Sequence, residues 1–276
     1  MLIKTLVENR TISPDYKPKH GLSLYIETKK HKLLFDLGSN SLFLINAKKM
    51  NVDISDIDIL VISHGHLDHG GALKDFLDNN KKAKIYVQKE AFDKHYIQDK
   101  DGSMLDVSLT FYPEYQDRFI FVDECLEIDD ELFLISNLMG PKFNPNNNKR
   151  LFKMGGNGLV NDDFRHEQHL YVRESINLLV CGCCHSGIIN VLDGLDRYNL
   201  PKPTLIISGL HLLDPITKIN EDIFFIQELG FELLKRDINL LTCHCTGYDN
   251  YQLLCEIMGD KIAYLPTGLE LKYEKV

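Results

Sequence analysis

The 276-residue chain has no tryptophan, no apolar run near the ~18 residues a bilayer span needs, and fewer basic than acidic side chains. The missing tryptophan excludes nothing. The missing apolar run excludes a transmembrane helix. With Lys+Arg at 31 against Asp+Glu at 40, the net charge of −9 argues against a dedicated nucleic-acid binder, which would carry a basic footprint. The opening residues, MLIKTLVENRT, lack a basic stretch followed by a long apolar core, so no secretory signal is expected. Seven cysteines is an odd number, and Cys181, Cys183 and Cys184 crowd one segment. That usage reads as reduced thiols in a cytoplasmic protein rather than a disulfide framework. Neither a G-x-S-x-G nucleophile elbow nor a Walker loop is present.

What is there is an ordinary globular balance, 44% hydrophobic and 26% charged, which excludes wholesale disorder. No repeat and no low-complexity linker divides the chain, so one domain over residues 1–276 is expected. Short β-branched and apolar runs predict strands at Leu22–Thr28, Lys32–Asp36, Ile57–Ser63, Lys84–Val87, Phe119–Val122 and Glu131–Ile135. Later runs predict strands at Leu170–Arg173, Leu178–Cys181, Thr204–Ser208 and Asn239–Thr242. Helices are expected after Asn40, over Gly70–Leu77, and at Ile188–Arg197, Asn220–Lys235 and Asn250–Met258. Strands lead each half and helices follow, which suggests an α/β protein of stacked sheets with helices outside. Pro141–Gly158, with PKFNPNNNKR and GGNG, predicts an irregular lid or binding loop spanning about 137–165.

The segment Ser63–Gly71, SHGHLDHGG, follows a predicted buried strand and offers His64, His66, Asp68 and His69 within six residues. Neutral imidazole and carboxylate suit zinc, manganese or ferrous iron. Alternate residues of an extended segment point the same way, so His64 and His66 can grip one ion. Asp68 and His69, turned into the next helix, then face a second position. His185 in LLVCGCCHSGI and His244 in LLTCHCTG are also strand-end histidines in small-residue loops, and convergence of all six on one centre is expected.

This H-x-H-x-D-H pattern resembles the metallo-β-lactamase superfamily. TLVENRT, HGLSLYIET, LLFDLG, DDFRHEQHL, CGCCHSGI, SGLHL and HCTG are similar to the subgroup containing the dihydropterin–ribofuranosylaminobenzene phosphate synthases. The resemblance implies a four-layer αββα sandwich with metals at the strand ends between two mixed sheets. It implies that His64, His66 and His185 hold one ion and Asp68, His69 and His244 the other. It places Asp36 near the site, either supporting a ligand histidine or capping a turn through Gly38. The carboxylate that commonly bridges the two ions has no counterpart in IISGL, Ile206–Leu210. His211, just past that strand, is assigned as a terminal ligand, a substrate contact or a packed structural residue. Lys153, Arg150, Asp163 and Glu167 are weaker candidates for substrate binding, with a charged surface loop as the plainer reading.

The expected function is a hydrolase-type enzyme in which metal-bound hydroxide attacks a small anionic, phosphorylated substrate, with Asp68 orienting or deprotonating the water. One or two divalent ions are expected, zinc first, with manganese or iron as alternatives. A pterin-type synthase releasing diphosphate, an iron-dependent dioxygenase and a non-catalytic metal- or ligand-binding protein remain as alternatives. A small-molecule substrate is the expected partner; nucleic acid and membrane are not, and homo-oligomerisation is open.

Overall fold

The structure, a computed structural model, describes residues 1–274. Alternation of side chains along the strands sorts most apolar residues into three large cores, and these cores define the layers. Leu24, Ile26, Leu33 and Phe35 face Leu132, Leu134, Leu170, Val172, Leu178, Val180 and Ile207 in a core between two sheets. Their neighbours Tyr25 and Leu34 point the other way, onto Phe43, Ala47, Leu73 and Phe76 of the first outer helical layer. On the far side, Phe133, Ile135, Leu179 and Ile206 meet Ile188, Val191, Ile226, Leu233 and Leu254 of the second helical layer. The result is the αββα sandwich.

Among the described residues, each main sheet has seven strands. The first runs in the order Glu270–Lys272, Leu2–Val7, Ser23–Glu27, Lys32–Phe35, Ile59–Val61, Lys84–Gln88, Phe119–Val122. The second runs Ile262–Tyr264, Asn239–Thr242, Leu205–Ser208, Asn177–Val180, Gln168–Arg173, Leu132–Ser136, Cys125–Glu127. Lys32–Phe35 pairs parallel with Ile59–Val61, and Asn177–Val180, Leu205–Ser208 and Asn239–Thr242 are mutually parallel. Parallel neighbours discharge their following loops at the same edge, so the segments after Val61, Val180, Ser208 and Thr242 emerge together. No helix among the described residues is long and apolar enough to cross a membrane.

The 137–165 stretch is not irregular throughout, and this corrects the sequence expectation. A short 3-10 turn, Asn146–Arg150, leads into a hairpin of Leu151–Gly155 and Gly158–Asn161. The hairpin completes a third, four-stranded sheet with His95–Gln98 and Met104–Asp106. Gly158–Asn161 is exposed along its whole length, so it carries no apolar alternation to read.

Candidate metal centre

His64 and His66 flank Gly65 beyond Ile59–Val61, and His185 follows Asn177–Val180. Their rings stand 4.6 Å (His64–His66) and 5.1 Å (each to His185) apart between centroids. All three Nε2 atoms are buried and have no hydrogen-bond partner. A buried polar atom without a partner costs roughly 1–3 kcal/mol, so three converging ones call for a shared ligand. Neutral ring nitrogens with free lone pairs are what a divalent ion requires. The tautomer is fixed from behind for His185, whose Nδ1 lies 3.0 Å from Asn148 Oδ1 while Asn148 Nδ2 donates to the His185 carbonyl at 2.8 Å. Burial first, then the charge of neighbouring imidazoles, holds all three rings well below the ordinary histidine pKa.

A second cluster adjoins the first. Asp68 Oδ2 lies 3.1 Å from His244 Nε2 and 3.8 Å from His69 Nε2, and the two Nε2 atoms are 3.2 Å apart. Asp36 faces His69 from behind: its Oδ2 is 2.6 Å from His69 Nδ1 and accepts from Ser63 Oγ at 2.7 Å, while Oδ1 accepts from Ser63 N–H. That geometry orients a ring and caps no turn at Gly38. Burial disfavours charge on His69, but the Asp36 and Asp68 carboxylates outweigh it and raise its pKa to about 9. Asp68 is also subject to burial, which would raise its pKa. The His69 charge and hydrogen bonds from His20 and His244 outweigh burial and keep it ionised.

Two buried glutamates clamp the loops that carry the distal histidines. Glu167 accepts from His185 N–H at 2.7 Å and from Ser186 N–H at 2.9 Å; Glu8 accepts from His244 N–H at 2.7 Å and from Tyr264 Oη at 2.7 Å. Asp36, Cys184, His211 and His244 all hold positive φ, between 49° and 59°. Left-handed backbone at non-glycine residues is strained, and its clustering here marks a site held in place by its surroundings.

The clusters open on a cavity of about 410 Å³ lined by His20, His66, Asp68, Cys183, His185, His211 and His244, with Leu67, Ile97, Val107, Leu151 and Ile216 as its apolar wall. His211 sits 4.3 Å from the His185 ring, with both ring nitrogens buried and unpartnered. The four proposed substrate residues do not line this cavity. Arg150 is paired with buried Asp214 at 2.7 Å, Lys153 with Asp163 and Glu90, and Glu167 is spent on backbone N–H groups. The cavity's own cations are Lys19 and Lys218, both exposed and without an ion-pair partner among the described residues. Sequence reading also missed His20, whose Nε2 is 3.2 Å from Asp68 Oδ2, although HGLSLYIET contains it.

Behind His66 lies a further buried array. Asp162 Oδ2 is 3.0 Å from His95 Nδ1 and 3.1 Å from His166 Nε2, and His166 Nδ1 accepts from Gly65 N–H at 2.9 Å. The array ties the third sheet and DDFRHEQHL to the loop between His64 and His66. His95 Nε2 faces the Glu90 carbonyl at 3.1 Å, so both of its ring nitrogens meet acceptors. Burial would raise the Asp162 pKa, but hydrogen bonds from His166 and His95 hold it far below the carboxylate range.

Comparison with known proteins bears on the fold. The chain is 26% identical over 249 residues to an uncharacterized protein of Methanocaldococcus jannaschii, covering 90% of this chain and 91% of that one. It is 24% identical over 271 residues to the same organism's 7,8-dihydropterin-6-methyl-4-(beta-D-ribofuranosyl)-aminobenzene-5'-phosphate synthase, covering 92% and 90% of the two chains. A solved metal-dependent hydrolase of the beta-lactamase superfamily superposes with a TM-score of 0.79 at 27% identity, covering 99% of this chain and 98% of that one. The metallo-beta-lactamase superfamily model matches residues 16–147, the stretch that carries His64 to His69, and the whole-length likeness extends the relationship to the half that carries His185 and His244. The chain has the metallo-beta-lactamase fold and is similar to members of that superfamily over nearly its whole length.

Proposed function

We propose that the protein is a metal-dependent hydrolase-type enzyme, one catalytic domain across its length, acting on a small anionic, phosphorylated substrate. The observation that carries this reading is the convergence of three buried, unpartnered imidazole nitrogens beside the Asp68–His69–His244 cluster at one cavity. His64, His66 and His185 would hold one divalent ion, and Asp68, His69 and His244 a second; zinc fits the imidazole-rich set best. When bound, such ions supply Lewis acidity and a nucleophile at neutral pH. Asp68, a quarter exposed to the cavity, orients the attacking water. Its depressed pKa suits an acceptor of hydrogen bonds better than a strong base. Lys19 and Lys218 meet the substrate's negative charge, and the apolar wall excludes water from the reacting bond.

A pterin-type synthase is the second reading, favoured by the relative that carries that name over 92% of this chain. The same residues would then stabilise a departing diphosphate. Assays of purified, metal-loaded protein against phosphodiesters, lactones and pterin diphosphates separate the two. Turnover of an ester supports the hydrolase, diphosphate release with carbon or nitrogen transfer supports the synthase, and inactivity on every class sinks both. Elemental analysis after anaerobic purification decides against the iron-dependent dioxygenase if zinc or manganese is found without iron.

His211 faces the same cavity with two free ring nitrogens, and we assign it to the substrate rather than to an ion. Loss of one hydrogen bond to a charged group costs roughly 1.5–3 kcal/mol, so His211→Ala should raise KM about 10- to 100-fold. The metal-to-protein ratio should stay unchanged. A fall in that ratio would make His211 a ligand instead, and wild-type kinetics would remove it from both roles.

A further inference from the structure

Cys183 stands between the two clusters and has no role in the reading above. It is 3% exposed, and its Sγ lies 3.2 Å from His69 Nε2. It belongs to a group with His64 and His185, to another with His69 and His244, and to a third with His211 and Cys245, the ligand atoms of each lying within 4.8 Å of one another. Among the described residues, Cys183 alone is shared by the two histidine groups of the proposed ion positions.

Its surroundings are not those of a packing residue. Cys181 and Cys184 lie in the core under the outer helices, and Cys243 lies in the core between the sheets. Cys183 belongs to no apolar core and lines the cavity. Bare backbone brings it there: a Cβ on Gly182 would stand 2.4 Å from Ser63 Oγ, so only glycine lets this loop abut the His64 loop. Gly209 ends the neighbouring Leu205–Ser208 strand, where a Cβ would stand 2.6 Å from Cys245 Sγ.

Charge points the same way. Two divalent cations would bring four positive charges to a site whose other ligands are neutral imidazoles and one carboxylate. An imidazole has a single lone pair to give, whereas a thiolate carries a negative charge and several lone pairs, and can touch two cations. The unpartnered, buried Nε2 atoms of His64, His66 and His185 are the independent sign that a cation belongs here.

We propose that Cys183 ligates both metal positions as a bridging thiolate, an inference that rests on the two-ion reading above. On binding, the thiol proton passes to solvent and two sulfur–metal bonds form, with the sulfur unchanged in oxidation state.

Cobalt(II), loaded alone under anaerobic conditions into wild type, Cys183→Ser and Cys245→Ser, tests this. Wild type should bind two equivalents and show the near-ultraviolet charge-transfer band of thiolate-bound cobalt. Cys245→Ser should keep both the band and the stoichiometry; Cys183→Ser should lose the band and at least one equivalent. A wild type that binds two cobalt ions without the band overturns the bridging thiolate and leaves the two-ion site standing. So does a band that survives in Cys183→Ser or vanishes in Cys245→Ser. One equivalent in wild type, with the band lost in Cys183→Ser, overturns the bridge, and failure to bind cobalt at all overturns the metal reading itself. Should Cys183→Ser not fold, alkylation of wild type followed by peptide mass spectrometry replaces it. Cobalt should then slow modification of Cys183 at least tenfold, and equal rates with and without cobalt overturn the proposal.

Discussion

Asp68→Asn should lower kcat by about 10³-fold, within the ~10²–10⁴ range for removal of a positioned acid–base group, while the protein remains folded. The carboxylate sits where His244, His20 and His69 converge, with Oδ2 within 3.1, 3.2 and 3.8 Å of their Nε2 atoms. Asparagine keeps the size and one oxygen acceptor, so the neighbours keep a partner. What it loses is the negative charge that offsets His69 and would tie a cation to the second cluster. Both effects fall on chemistry rather than packing, because the side chain is a quarter exposed to the cavity. Steady-state kinetics, thermal unfolding and metal analysis of the variant check the three parts separately. Activity within a fewfold of wild type would remove Asp68 from the reaction.

The sequence made the two-sheet architecture and the clustered histidines legible for different physical reasons. Strands such as Ile59–Val61 and Leu205–Ser208 are buried on both faces, so their identity lies in a local run of β-branched residues. His64, His66, Asp68 and His69 are neighbours in sequence and need no long-range pairing to be seen together. His185 and His244 could be placed because each follows such a strand. Apart from Asp36, which the family resemblance placed near the site, the supports were illegible because each is a partner across the fold. Glu8 meets His244 across 236 residues, and Asn148 meets His185 across 37. Nothing in a local window distinguishes these side chains from solvated ones.

The candidate substrate residues lie outside the cavity lining for a related reason. Lys153 and Arg150 were singled out by composition, as cations in a Gly- and Asn-rich stretch. In the fold that stretch pairs with His95–Gln98, and its cations meet the carboxylates of Asp163, Glu90 and Asp214. Lys19 and Lys218 reach the cavity from segments with no motif of their own. Asp162 and His166, in the acidic segment, join His95 in a buried array that fixes Gly65.

Removing metal should make the protein sharply acid-sensitive between about pH 6.5 and 5, and restoring metal should reverse this. The buried rings of His64, His66 and His185 are held well below the ordinary histidine pKa in the folded protein. In the unfolded chain each takes up a proton near ~6.5. Unfolding therefore binds protons as pH falls below that value, and stability declines with falling pH. Each ring contributes a slope of about 1.4 kcal/mol per pH unit while its folded form stays neutral, about 4 kcal/mol per unit for the three. His244, lowered mainly by burial and then by His20, adds in the same direction. His69 acts in a different window. Its folded pKa of about 9 gives a contribution that is complete below ~6.5 and lost as pH rises through 9, so it leaves the acid slope untouched. Metal binds the folded state alone, and at 100 times its Kd it adds about 2.7 kcal/mol, which opposes protonation of its ligands. His185→Ala should remove between a quarter and a third of the chelated protein's acid slope and lower the metal ratio by one equivalent. Urea unfolding midpoints at pH 5 to 7, with chelator and after metal is restored, give the measurement. A chelated protein whose stability is flat across that range would show that these rings are not held neutral, and would take away the physical basis for a preformed metal site.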